Sequence, residues 1–172
     1  KLCDQVSDYF TLSPDGKQIA FTRIDKATYA SSLIIADADC RTMRELLTRP
    51  ADQAFSRRLA WSPDGSLIAV AALSDSIKER REIFTVRVAD GEIEQLTALE
   101  WIAISNLVWL RDGRGLIVVA TDKNETLRHL WRVAYPGGNA YRLSRDTDSY
   151  GSALSMSADG DSLVAWIEGA KE

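Results

Sequence analysis

The chain has 172 residues, 45% of them apolar and 27% charged, and a net charge of −4 at pH 7. That length and apolar content suit one domain with an adequate core and exclude a disordered chain. The acidic balance argues against a general nucleic-acid or anionic-membrane surface, which needs a basic face, and no apolar run approaches the length of a membrane-spanning helix.

In chain order, the first predicted strand holds Phe10 and Leu12, two apart and on one face. Ser13-Pro14-Asp15-Gly16 follows, a turn in which proline presets φ, aspartate bonds nearby amides and glycine accepts positive φ. Ile19-Ala20-Phe21 and Leu33-Ile34-Ile35 then read as two strands, and Leu47-Thr48 closes the unit. The same order recurs. Leu59 and Trp61 precede Ser62-Pro63-Asp64-Gly65, followed by Ile68-Ala69-Val70, Ile83-Phe84-Thr85-Val86 and Leu96-Thr97. Leu107 and Trp109 precede Leu110-Arg111-Asp112-Gly113, followed by Leu116-Ile117-Val118, Leu130-Trp131-Arg132-Val133 and Leu143-Ser144. Leu154 and Met156 precede Ser157-Ala158-Asp159-Gly160, and Leu163-Val164-Ala165 is the last run.

The four aspartates stand 49, 48 and 47 residues apart, a period that marks a repeat array. The continuous apolar runs after each turn suit strands buried on both faces. Each unit therefore reads as a four-stranded antiparallel blade, and the expected fold is an all-β propeller. Blade one spans 8–48, blade two 57–97 and blade three 104–144, and half of a fourth covers 152–168. Three and a half blades leave an apolar edge open, so the chain is expected to be part of a larger propeller, its edge covered by further blades or an oligomeric mate. The first residue is Lys1 and no signal peptide opens the sequence, which reads as a processed product or an excised piece.

The stretch 59–70, Leu-Ala-Trp-Ser-Pro-Asp-Gly-Ser-Leu-Ile-Ala-Val, with a third strand and Leu-Thr after it, resembles the TolB-like β-propeller repeat, a family similar in shape to WD-repeat propellers. Repeat three departs from the pattern at Leu110-Arg111 and repeat four at Ala158. The resemblance implies a periplasmic, envelope-associated protein partner. Similar repeats form the C-terminal portion of bacterial membrane-anchored regulators and Ser/Thr kinases, which the later repeats resemble more.

No catalytic constellation is legible. There is no Gly-x-Ser-x-Gly elbow, and His129, the one histidine, stands at the start of a third strand without a companion at metal-ligand spacing. Gly137-Gly138 lacks the Lys and Ser/Thr of a phosphate-binding loop. The repeated aspartates are held apart by the blade repeat, so they read as turn caps rather than a catalytic carboxylate pair. Cys3 and Cys40 fit no paired spacing and are expected as two unpaired thiols, the alternative being a disulfide between the N-terminal segment and the first repeat. No catalytic, cofactor or metal residue is expected.

A binding surface remains. The loops 49–56, 74–81, 98–103, 123–126 and 146–151 should gather on one face, and they carry the candidate partner-binding residues Phe55, Arg57, Arg80, Arg81, Trp101 and Tyr150. The leading expectation is a non-catalytic protein-interaction, sensing or scaffold module. The alternative is the gating propeller of a prolyl-oligopeptidase-type serine peptidase whose hydrolase domain lies outside this chain.

Overall fold

Each stretch of alternating apolar residues and turn signals folds into a meander, and the meanders stand side by side. The computed structural model describes residues 9–75, 79–145, 147–157, 159–160 and 162–168. The first sheet holds β1 (Phe10–Leu12), β2 (Gln18–Ile24), β3 (Ser31–Asp37) and β4 (Met43–Arg49). The second holds β5 (Phe55–Trp61), β6 (Leu67–Asp75), β7 (Arg80–Arg87) and β8 (Ile93–Gln95). The third holds β9 (Trp101–Trp109), β10 (Gly115–Asp122), β11 (His129–Ala134) and β12 (Ala140–Arg142). A two-stranded sheet of β13 (Ser149–Met156) and β14 (Leu163–Glu168) follows. All pairings are antiparallel between consecutive strands. The first strands are also neighbours across sheets: β5 lies against β1 and β9, and β9 against β13. This is an all-β propeller of four-stranded blades, three whole and one represented by its inner half.

The Pro-Asp-Gly turns behave as their chemistry dictates. In the first, the Ser13 hydroxyl donates to Asp15 Oδ1 (2.7 Å) and accepts from the Gln18 amide (2.9 Å), while Asp15 Oδ1 accepts from the Lys17 amide (3.1 Å). Ser62 and Asp64 repeat this, with the Ser66 and Leu67 amides donating at 3.0 and 2.9 Å. Gly16 and Gly65 sit at φ of 71° and 74°, the left-handed region a side chain resists. In repeat three, where Leu110 replaces the serine, Asp112 still accepts from the Arg114 amide at 2.9 Å. The aspartates therefore cap turns. The Ser13 and Ser62 hydroxyls, aided by backbone amides, hold the Asp15 and Asp64 carboxyls below the usual carboxylate range.

Between blades, alternation along the second strand feeds two cores at once. Ile68, Val70 and Ala72 of β6 pack with Ala20, Leu33 and Ile35 of blade one, while Ala69 and Ala71 pack with Trp101, Leu107 and Leu116 of blade three. Ile117 and Val119 of β10 serve the next interface, against Leu154, Met156 and Ala165. Burying each of the isoleucine, valine, leucine and methionine side chains contributes about 1.5–3 kcal/mol, so the interfaces contribute much of the stability. Trp61 and Trp109 also link neighbouring inner strands. Trp61 Nε1 donates to the Thr11 carbonyl (3.3 Å) and Trp109 Nε1 to the Ala60 carbonyl (3.1 Å). A buried indole needs such a partner, and the repeat supplies it one blade back.

Three expectations are corrected. Cys40 is disulfide-bonded, and no described cysteine is a free thiol; Cys3, the chain's other cysteine, lies outside the described residues. The sequence offered no spacing signal for this, because a disulfide depends on tertiary proximity. The inner strands of blades two to four begin at Phe55, Trp101 and Ser149, two to three residues earlier than their apolar alternation indicates. Irregular pairing between Phe55 and Leu59, and between Tyr150 and Leu154, breaks that alternation while the strand continues. Leu96-Thr97 and Leu143-Ser144 fall just beyond β8 and β12, although the Leu96 and Leu143 amides still donate to the Ile83 and Leu130 carbonyls, both at 2.8 Å.

Trp61→Ala should destabilise the protein by about 3–5 kcal/mol in denaturant unfolding, as large-to-small core changes do. Trp61→Phe, which keeps the ring contact and removes the bond to Thr11, should cost about 0.5–1.5 kcal/mol beyond its loss of volume. An unchanged midpoint for the alanine variant would place the ring outside the core.

Candidate functional site

The predicted partner-binding residues divide by burial. Phe55 is 3% exposed and Trp101 1%, each inside an inter-blade core, so neither presents a surface. Phe55 instead donates its amide to the Ser31 hydroxyl (2.7 Å), and Trp101 packs edge-on to Trp131 with ring centroids 5.5 Å apart. Tyr150 is half-buried between blades three and four and donates its amide to the Arg128 carbonyl (2.9 Å). Arg80 and Arg81 lie at the start of β7, half-buried, with Arg80 on Glu100. Arg57 alone of the six is exposed.

Arg57 stands in the irregular stretch of β5 between Phe55 and Leu59. The corresponding stretch of β9 also slips register, between Ile104 and Asn106, and β13 slips between Tyr150 and Leu154. Three consecutive innermost strands thus carry a bulge at one repeat position, seven residues before the turn aspartate, where Arg57, Ser105 and Ser152 stand. Asn106 Nδ2 donates to the Ser152 carbonyl (2.6 Å), joining two of these bulges, and the Arg58 guanidinium lies 4.4 Å over the Tyr9 ring. Three loop-side carboxylates are paired, Glu100 with Arg80 and Lys123, Glu125 with Arg142 and Glu168 with Arg128, whereas Asp52, Glu79 and Asp148 have no ion pair among the described residues.

A polar pair the sequence reading missed repeats in every complete blade. The residue before the third-strand apolar run meets the Thr or Ser of the Leu-Thr/Ser signature: Ser32 with Thr48, Glu82 with Thr97, His129 with Ser144. Thr97 Oγ1 also accepts from the Ile83 amide (2.9 Å) and Ser144 Oγ from the Leu130 amide (3.2 Å). The signal was present in the sequence as a polar residue 17 or 18 positions after each turn aspartate.

In blade three this pair gathers a serine, a histidine and a carboxylate. His129, 1% exposed, has Nδ1 3.1 Å from Ser144 Oγ and Nε2 2.6 Å from Glu125 Oε2, while Arg142 donates to Glu125 Oε1 at 2.7 Å. The residue types suit nucleophilic catalysis, but their geometry does not favour it. The imidazole is sealed from solvent, the serine hydroxyl is occupied by a backbone amide, and the same two positions in the other blades hold Ser32–Thr48 and Glu82–Thr97.

At the opposite, turn-side end, three adjoining clefts share Arg111, the residue replacing proline in repeat three. One of about 320 Å³ is bordered by all four inner strands through Thr11, Trp61, Val108 and Met156. One of about 440 Å³ lies between blades two and three against Trp109 and Tyr135, and one of about 640 Å³ lies between blade three and the half blade against Ile117, Tyr141 and Leu143.

Glu82 is 2% exposed and accepts from Thr97 Oγ1 and the Leu99 amide (2.8 Å). Burial pushes its carboxyl above the ordinary range, overcoming the two hydrogen bonds, which lower it. A carboxyl that holds its proton more tightly when folded loses stabilisation as pH rises from its ordinary pKa near 4.5 towards the raised value. Wild type should therefore lose stability relative to Glu82→Gln over that interval, read as diverging melting temperatures. Parallel curves would mean the carboxylate is fully compensated.

No family model matches the sequence, and no curated protein matches it significantly. Solved structures match well. TolB of Acinetobacter baumannii is 17% identical with a TM-score of 0.73, over 91% of this chain and 36% of its own. A protein of Agrobacterium tumefaciens assigned as TolB is 20% identical with a TM-score of 0.74, over 96% of this chain and 60% of its own. A puromycin hydrolase is 21% identical with a TM-score of 0.70, over 92% of this chain and 24% of its own. The chain thus spans between about a quarter and three fifths of the length of these chains. On blade topology and these likenesses together, the chain is a TolB-like β-propeller in fold.

Proposed function

We propose that this chain is a non-catalytic protein-interaction or scaffold module that works with a protein partner. One observation carries the reading. Among the described residues, the Ser144–His129–Glu125 group holds the residue types of a nucleophilic site, and it occupies the place of a structural lock present in every complete blade. The likeness to the TolB structures supports the module and suggests a periplasmic setting. Val164 and Trp166, 67% and 66% exposed on β14, support a partnership with further blades or an oligomeric mate that covers this edge. The likeness to a puromycin hydrolase supports the second reading, a propeller that gates a hydrolase domain outside this chain.

Chromogenic ester and amide substrates should show no turnover above buffer with this chain. Ser144→Ala should lower stability by about 1 kcal/mol through the lost bond to Leu130, with no effect on turnover. Turnover that disappears in Ser144→Ala or His129→Ala would overturn the non-catalytic reading.

A further inference from the structure

We propose that the loop-side end of the innermost strands binds an acidic peptide segment, with Arg57 and Arg58 as its anchors. The inference rests on the interaction-module reading and names the chemistry of the partner. The four innermost strands, Phe10–Leu12, Phe55–Trp61, Trp101–Trp109 and Ser149–Met156, carry two charges in total, Arg57 and Arg58, and no acidic residue. Asp8 precedes the first of them and lies outside the described residues. On a protein of net charge −4, this inner wall is a local cationic site. A wall lined by one sign of charge focuses its field and attracts the opposite sign.

The backbone favours the same place. Both arginines stand on the β5 bulge, and β9 and β13 bulge at the same repeat position. Bulges interrupt ladder pairing and re-aim side chains, and the residues re-aimed here are Arg57, Ser105 and Ser152, which offer charge and hydrogen bonds without apolar bulk. Arg58 is held over Tyr9, leaving its guanidinium edges for a carboxylate, and Asn106 steadies the neighbouring bulge through Ser152. Arg57 has no ion pair among the described residues, whereas the loop-side carboxylates of Glu100, Glu125 and Glu168 are each engaged by a cation. The charge carried by the inner strands themselves is positive. An extended peptide with two or three consecutive carboxylates complements it.

The test uses fluorescein-labelled peptides of equal length, one ending in alternating aspartate and glutamate, one of glycine and serine, and one lysine-rich, titrated by fluorescence anisotropy. The acidic peptide should bind, weaken as salt is raised, and lose at least about tenfold in affinity for Arg57→Glu, with Arg57→Lys retaining part of it. Folding is checked by the melting temperature of Arg57→Glu, expected unchanged at an exposed site. Equal binding of all three peptides, no binding of the acidic one, or an affinity insensitive to Arg57→Glu would overturn the proposal. None of these outcomes bears on turnover, which tests the module reading separately.

Discussion

The structure depends on one constraint: the second strand of each blade is apolar on both faces. β6 shows it most plainly, because Ile68 to Ala72 have no exposed surface and divide alternately between two inter-blade cores. A single blade cannot bury both faces, so each needs a neighbour before and after it. The Trp61 and Trp109 indoles follow from this stacking, since their N–H groups find carbonyls only on the preceding inner strand. So does the exposure at the ends. Phe10 and Leu12 on β1 are 56% and 53% exposed, at positions where Leu59 and Trp61 are covered by blade one.

Two polar devices set the register within a blade. The Pro-Asp-Gly turn joins first and second strands through a serine–aspartate–amide network, and the hydroxyl of the Leu-Thr/Ser signature joins third and fourth. Both satisfy backbone amides where ladder pairing ends, which is where unpaired donors would otherwise be left. The second device tolerates different partners, serine, glutamate or histidine, because the hydroxyl can donate or accept. The Ser144–His129 pair of blade three is one such variant, with Glu125 on the far side of the imidazole.

The two ends of the propeller are consequently unlike. The turn side is tied down by side-chain networks and carries the clefts around Arg111. On the loop side, the inner strands slip register where Arg57, Ser105 and Ser152 stand. The regular positions of the repeat are committed to packing, so these departures are what distinguish the two ends.

Most of the fold was legible in the sequence. Turn aspartates at near-constant spacing and apolar runs of strand length give blade number and strand order, because turn chemistry and alternation are local properties. Trp61 and Trp109 read correctly as core fillers on the same grounds. The candidate site was legible only in part. Phe55 and Trp101 looked like loop aromatics because the Ser56-Arg57-Arg58 stretch and its counterparts break the alternation, and only the pairing across β5–β6 and β9–β10 shows that the strands continue through a bulge. The Cys40 disulfide and the raised Glu82 carboxyl were hidden for a related reason. Sequence determines what a residue does to its chain neighbours. Burial, cross-blade contact and the meeting of distant side chains depend on which surfaces the stacked blades bring together, and that was decided by the tertiary structure alone.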